Sequence, residues 1–430
     1  MASEKGCRQP QDGKYWQPAE QEDVKNFQSQ ASIQTNSLSL EYLLSKSDGQ
    51  IATIGQKVID GQRLSVDEGL TLYEYCDLGL LGALACFVKQ QKSGNEVYFN
   101  KNFHIEPTNI CIHKCRFCSY YCNDKGKEIN TLVNPLAGDS DFRQNYGFSS
   151  WEHSIDDVVE ISKRYQQSDV TEVHIVGGVH PDRDVHFYAS MLQAIRLVLP
   201  KVHIKAFSAV ELDYMFAKAK LTDEEGFEIL KRAGLQSIPG GGAEIFEKEI
   251  REKICPEKTS SQRWLDIHRA AHQAGIPSNA TMLYGHVEQY SHRVNHLKRL
   301  RDLQDETRGF NAFIPLKYRA ANNLMSNTGV FSTSLKEITS IEDMKNYAVS
   351  RIFLDNIPHI KAYWPMIGKD MAQMALAFGA DDMDGTIDDT TKIYSMVDKK
   401  PTLTTNELKE MINAAGYQAV ERDSLYRRVV

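Results

Sequence analysis

No stretch of the 430-residue chain is apolar over the roughly 20 residues that a bilayer crossing takes. The longest apolar run, Leu78-Gly-Leu-Leu-Gly-Ala-Leu-Ala-Cys-Phe-Val88, is about half that length and reads as a buried helix. No apolar core of the kind that marks a secretory signal lies near the N-terminus, so the cytoplasm is the expected compartment. Excess positive charge is missing too. The 50 Lys and Arg are outnumbered by 57 Asp and Glu, and a net charge of −7 argues against a general nucleic-acid binder. Cysteine is sparse: eight in all, three of them in one short motif. That usage fits a reducing compartment better than a disulfide framework. What is present is ordinary for a globular protein, with 25% charged and 41% hydrophobic residues. The length suggests two or three domains, although α/β barrels routinely exceed the usual domain size.

The three clustered cysteines are Cys111, Cys115 and Cys118, in Cys111-Ile-His-Lys-Cys115-Arg-Phe-Cys118, after an expected strand His104–Ile110. The spacing C-x3-C-x2-C can hold three irons of a 4Fe–4S cluster and leave the fourth iron open. An open metal position is what distinguishes a cluster that does chemistry from one that passes electrons. Cys122 lies three residues further on, so a four-cysteine zinc site is the competing reading. Zinc sites more often use paired C-x2-C units far apart in sequence, which favours iron and leaves Cys122 a plain thiol.

Residues 1–37 are polar and aperiodic and read as an arm or disordered tail. Residues 38–98 read as a helical extension packed on the rest, with a capping box at Ser65-Val-Asp-Glu68. From 99 to 400 short apolar segments alternate with amphipathic ones. Eight strands are expected: the segment before Cys111, then Glu172–Val176, His203–Phe207, Leu235–Ile238, Ser278–Leu283, Ala312–Leu316, His359–Tyr363 and Asp381–Asp384. Helices separate most of them. Thr222–Glu225 is a second capping box, Gly234 sits where a left-handed C-terminal residue is expected, and Val294, Leu297, Leu300 and Leu303 form one apolar stripe. Alternation of this kind implies a parallel sheet, and eight repeats imply an α/β fold of the closed (β/α)8, TIM-barrel type. A six-stranded open barrel is the alternative, because the last two strands are short. The polar stretch between Tyr121 and Phe148 reads equally as a lid and as a plain solvent loop. Residues 401–430 give a helix capped by Thr404 and Glu407, then a polar tail from Glu421 to Tyr426.

In a parallel barrel the reactive groups gather where the strands end. The first end carries the cysteines. The second carries Gly177-Gly178-Val-His180-Pro, where glycines let backbone approach a ligand; His180 reads as a structural histidine. The third gives Ser208-Ala-Val-Glu211, a ribose-binding pair or a helix cap. The fourth is Pro239-Gly-Gly-Gly-Ala-Glu244, with Gly241 at its middle, and the fifth holds Tyr284, His286 and Glu288. Lys317, Tyr318 and Arg319 end the sixth, with Asn322 and Asn323 after them, and Arg351, Asp355 and Asn356 precede the seventh. Each alone reads as a surface or salt-bridge position; together they suit anionic groups.

The cysteine motif with Phe117 before its last member resembles the radical S-adenosylmethionine (SAM) enzymes. Further segments extend the resemblance over about residues 64–426: Glu172-Val-His-Ile-Val-Gly-Gly-Val-His-Pro181, Ile238-Pro-Gly-Gly-Gly-Ala-Glu244, Ser278-Asn-Ala-Thr-Met-Leu-Tyr-Gly-His286 and Asp384-Gly-Thr386. They are most similar to the aminofutalosine synthase family of the futalosine route to menaquinone. Cyclic dehypoxanthine futalosine synthase and the tyrosine-using half of deazaflavin (FO) synthase are sister families. The resemblance implies a 4Fe–4S cluster on Cys111, Cys115 and Cys118, and SAM as co-substrate near Phe117, Gly177, Gly178, Ser208, Glu211, Gly241 and Glu244. Val179 departs from the family pattern, which often has an acidic residue there. The implied reaction adds the 5′-deoxyadenosyl radical to the vinyl carbon of 3-[(1-carboxyvinyl)oxy]benzoate. Aryl migration follows, the enol-derived carboxylate leaves as CO2 or bicarbonate, and aminofutalosine and methionine are released. A flavodoxin- or ferredoxin-type protein is the implied electron donor. The substrate has two carboxylates, so Lys317, Arg319, Arg351 and His286 are the expected contacts, with Tyr284 beside them and His286 and Arg319 as catalytic groups.

Overall fold

Eight short segments of the chain do pair in parallel, and they close on themselves. The computed structural model describes residues 40–122, 150–320, 323–327, 337–386 and 402–429. The chain divides into two units, residues 1–47 and 48–430. In the first, residues 40–45 are helical and the Ser47 hydroxyl donates to the Leu43 carbonyl at 2.9 Å. The expected arm at 1–37 and most of the expected lid (residues 123–149) lie outside the described residues.

The second unit begins with helices Gly49–Ile59, Val66–Tyr75 and Leu78–Ser93. Ser65 and Glu68 form the expected reciprocal cap, each satisfying a backbone N–H that the first helical turn leaves unpaired. Helix Leu78–Ser93 is the long apolar run. It buries Leu80, Leu81, Leu84 and Ala85, mainly against helix Ser340–Phe353, each large side chain contributing roughly 1.5–3 kcal/mol.

The strands then follow in order: β1 (Glu96–Asn100), β2 (Asn102–Ile105), β3 (Glu172–Ile175), β4 (His203–Ala206), β5 (Ser278–Tyr284), β6 (Phe310–Lys317), β7 (His359–Ile360), β8 (Asp382–Gly385) and β9 (Gln418–Glu421). β1 and β2 are two halves of one barrel strand, broken at Lys101. The pairs β2–β3, β3–β4, β5–β6, β6–β7 and β8–β1 are all parallel. Single bridges Lys205–Ser237, Ile238–Ser278 and Lys361–Asp382 close the remaining joints. The ring is therefore an eight-stranded (β/α)8 barrel, and the six-stranded alternative falls. The Leu235–Ile238 strand shrinks to two bridged residues. The first strand corrects the expectation: it runs over 96–105, not 104–110. Pro107, which has no N–H to give a ladder, leads the chain off the barrel rim instead.

The C-terminal segment also departs from a plain polar tail. β9 adds in parallel to β1 outside the ring, and the residues after it turn under the barrel. Arg422 is 1% exposed and donates to Asp382 on β8 at 2.7 Å. Its guanidinium lies 4.3 Å from the Tyr426 ring, which stacks on His359 at 3.8 Å. The tail thus stoppers the N-terminal end of the barrel and leaves the other end for a site. Arg422→Ala is expected to cost about 3–5 kcal/mol, because it strands the buried Asp382 carboxylate. Denaturant unfolding measures this, and a variant as stable as the wild type refutes the stopper role.

Candidate active site

The cysteine loop is fixed by backbone bonds on three sides. Ile112 N–H donates to Val179 O at 3.0 Å, Cys111 N–H to Cys122 O at 2.9 Å, and Arg116 N–H to Ile254 O at 2.8 Å. Gly178 N–H donates to Thr108 O at 2.7 Å. A Cβ on Gly178 would sit 2.3 Å from Ile110 O, and one on Gly177 2.9 Å from Thr108 O. The Gly-Gly turn is therefore required for its approach to the cysteine loop itself. Cys122 serves through its peptide group, which also donates to Asn109 O at 2.9 Å.

Cys111, Cys115 and Cys118 are unbridged thiols. Burial pushes all three up, Cys118 to about 11, and the nearby Lys258 ammonium opposes the rise in each. Among the described residues no three His, Cys, Asp or Glu side chains converge on one metal position. Three unbridged thiols spaced C-x3-C-x2-C on one loop are a donor set suited to a polynuclear cluster that takes one thiolate per iron. The donor set thus fits a 4Fe–4S group with one iron unligated by protein.

Beside the loop opens a cavity of about 350 Å³ at the C-terminal end of the barrel. Phe117 and Cys118 form part of its wall, with Gly177, Ser208, Glu211, Gly241 and Glu244 from the next strand ends. Ser208 caps helix Ala209–Ala219, and Glu211 closes the capping box. The cap and the ligand-facing readings of this pair hold together, since both residues also line the cavity. Glu211 accepts from Ser208 N–H and Oγ at 2.7 Å each and from Gly177 N–H at 3.1 Å. Burial raises its pKa to about 7 against those bonds. Three of roughly four acceptor positions are used, leaving one towards a ligand. Lys258 pairs with Glu244 at 2.5 Å and lies 5.4 Å from the Phe117 ring. Gly240 and Gly242 have φ of +87° and +90°, and a Cβ on Gly240 would meet Asn279 O at 2.1 Å.

Several expected contacts are directed elsewhere. His286 has a fully buried side chain, its Nε2 3.1 Å from Leu283 O and its Nδ1 3.2 Å from Glu288. Glu288 in turn accepts from Gly285 and His286 N–H and pairs with Arg293 at 2.7 Å. Burial lowers the His286 pKa while the Glu288 carboxylate opposes the shift, and the ring, held between Leu283 O and Glu288, serves as a structural post. Tyr284 donates to Asp343 at 2.9 Å, and Lys317 pairs with the same carboxylate at 2.7 Å. Arg351 is fully buried, bound to Asp381 at 2.7 Å and to Gly379 and Pro358 carbonyls. None of these four lines the cavity. Their side chains follow the outward register of their strands, or the helix packed behind them. Arg319 does line it, held by Glu337 and Met366 O at 3.0 Å each. Gly178 lies behind the wall, and Asn322 is outside the described residues.

The strand interiors supply groups the sequence reading passed over: His174, Lys205, Asn279, Thr281, Lys361 and Asp384 line the lower cavity. A signal existed. His203-Ile-Lys-Ala-Phe207 and His359-Ile-Lys-Ala-Tyr363 both place a lysine inside an apolar strand, where charge is rarely buried without a partner.

A model of the radical SAM superfamily matches residues 105–300, and one of the CofH/MqnC C-terminal region matches 307–429. Aminodeoxyfutalosine synthase of Thermus thermophilus is 39% identical over 89% of this chain and 96% of its own length. The enzyme of that name from Streptomyces coelicolor is 38% identical over 86% and 92%. Cyclic dehypoxanthine futalosine synthase from the same organism is 32% identical over 86% of each chain. Among solved structures, methylornithine synthase superposes with a TM-score of 0.63 at 16% identity, covering 85% of this chain and 97% of the other. The FeFe-hydrogenase maturase HydG from Carboxydothermus hydrogenoformans gives 0.65 at 17%, covering 92% and 85%; these two likenesses speak to the fold. Gly178→Ala is expected to push the cysteine loop off the barrel and to lower iron and sulfide per chain after anaerobic reconstitution by more than half. Full loading in that variant would show that the close approach to Ile110 is dispensable.

Proposed function

The chain belongs to the radical SAM superfamily, in the group that holds the aminodeoxyfutalosine synthases, and on that footing we propose that it joins the adenosyl moiety of SAM to 3-[(1-carboxyvinyl)oxy]benzoate. The products are 6-amino-6-deoxyfutalosine, methionine and CO2 or bicarbonate, on the route to menaquinone. The observation that carries the reading is the three-cysteine loop set in the wall of a barrel cavity, together with relatives of that name along nearly the whole chain. A 4Fe–4S cluster held by Cys111, Cys115 and Cys118 supplies, when bound, the one electron that splits SAM into methionine and the 5′-deoxyadenosyl radical. A flavodoxin- or ferredoxin-type donor provides that electron.

The chain's own residues hold and shield. Phe117, Gly177, Ser208, Glu211, Gly241 and Glu244 surround the space next to the cysteine loop and are assigned to SAM. Glu211 offers its remaining lone pair to a ribose hydroxyl. Gly241 leaves open space, since a Cβ there would meet nothing nearer than Ser208 Cβ at 3.6 Å. Val176, Leu283, Ile314 and Leu316 give the middle of the cavity apolar sides. These sides keep water away from the reacting atoms. Arg319 stands at the wall as a fixed cation for the enol-derived carboxylate.

Cys115→Ala is expected to abolish the cluster's visible absorbance and all SAM cleavage. With reconstituted wild type, SAM, dithionite and the enol ether, mass spectrometry should find an adenosyl adduct. Formation of 5′-deoxyadenosine alone, with cyclisation of dehypoxanthine futalosine, would assign the chain to the sister cyclase; consumption of tyrosine would assign it to the deazaflavin enzyme.

A further inference from the structure

The floor of the cavity is charged, although its sides are apolar. Lys205 on β4 and Lys361 just after β7 both line it, with Asp384 on β8 and Asn279 on β5. Counting round the ring, β4 is the third strand and β7 the seventh, so the two lysines project inwards from opposite sides. Each is nearly fully buried, at 4% and 3% exposure, and each has one anionic partner: Glu172 at 2.6 Å for Lys205, Asp384 at 2.6 Å for Lys361. An ammonium has three donors, so each keeps N–H groups for something else. The two cations are close enough for Lys361 to depress the Lys205 pKa, although burial is the larger cause. His174, stacked on His104 at 4.9 Å, is driven by burial to about 3 and stays neutral beside them. Two buried cations facing one another over a cavity, each with spare donors, form a seat for an anion.

Depth fixes which anion. Lys205 stands one residue before the end of β4 and Lys361 one residue past β7, but the Lys205 ammonium reaches back to Glu172, the first residue of β3, at 2.6 Å, which puts it below the strand ends. The cysteine loop and the segments assigned to SAM are at those ends. A substrate whose vinyl carbon meets the adenosyl group there must send its other end down, between the apolar sides, to the floor.

We infer that Lys205 and Lys361 form a carboxylate seat that binds the ring carboxylate of the aryl substrate and so orients its enol ether towards SAM. This rests on the function proposed above and adds to it a direction of binding and two specificity-determining residues. Glu172 and Asp384 hold the ammoniums in place and keep the floor neutral until the anion arrives. The benzoate then meets charge-assisted hydrogen bonds in a site of low dielectric, where such bonds are strong. An uncharged ring substituent cannot replace them.

The test uses the full-length, cluster-loaded protein without reductant, so that nothing turns over. Calorimetry measures binding of 3-[(1-carboxyvinyl)oxy]benzoate and of its ring carboxamide. The wild type is expected to prefer the acid by about 10- to 100-fold, the worth of hydrogen bonds to a charged group. Lys205→Met with Glu172→Gln, and Lys361→Met with Asp384→Asn, remove each ion pair without leaving a lone buried charge. Each should erase most of that preference while the amide still binds. Equal binding of acid and amide by the wild type overturns the seat and leaves the functional reading standing. A preference that survives in both double variants overturns it as well. If neither compound binds the wild type, the functional reading itself falls and the seat with it. Should the variants fail to fold, the wild-type comparison alone decides.

Discussion

Charge buried inside a closed barrel has to be compensated within the barrel, and much of this molecule is arranged around that requirement. Glu172, Lys205, Lys361, Asp382, Asp384 and Arg422 form a set of three cations and three anions, nearly all out of water. Each ion is paired at 2.6–2.7 Å. An isolated member would cost several kcal/mol, whereas the pairs roughly offset their own desolvation. The set ties β3 to β4, β8 to the residue after β7, and β8 to the C-terminal tail. The tail is thereby a part of the barrel, since it carries the guanidinium that pairs with Asp382. Arg351 and Asp381 repeat the device behind the sheet, where helix Ser340–Phe353 meets the loop before β8.

The polarity of the barrel follows from its closure. One end is filled by Arg422 and the Tyr426–His359 stack. At the other end the described residues surround the cavity. The cysteine loop reaches this end because the chain leaves β2 at Pro107 and is held against the turn after β3. Two glycines without side chains permit the hold. The loop position is set chiefly by backbone bonds to the neighbouring strand ends.

The cavity then divides by chemistry along its depth. Small residues and a buried carboxylate stand near the cysteines, apolar side chains follow, and lysines lie below. A SAM-derived radical and a substrate with separated anionic and vinyl ends suit that sequence of surfaces. The upper part carries Glu211, the Lys258–Glu244 pair and Arg319, and the lower part adds Lys205 and Lys361 with their carboxylate partners.

Much of this was legible in the chain itself. The spacing of Cys111, Cys115 and Cys118 announces an iron–sulfur loop, because metal geometry constrains local sequence. The eight strands and the caps at Ser65, Thr222 and Thr404 are local too, set by apolar patterning and by the first unpaired N–H groups of each helix. Which polar residues face the cavity was legible only in part: Ser208, Glu211, Glu244 and Arg319 line it as expected. His286, Tyr284, Lys317 and Arg351 stand at or near strand ends, yet Glu288, Asp343, Asp381 and backbone carbonyls claim them. Lys205 and Lys361 sit inside strands and look like anomalies until the ring closes. A strand shows one face to the core and the other to its helices, and nothing local says which when both are buried. The sequence by itself determined most of the elements and the position of the cysteine loop in the chain. Tertiary structure alone decided which charges meet each other and which meet the cavity, because most of those partners lie tens of residues apart and come together only when the barrel closes.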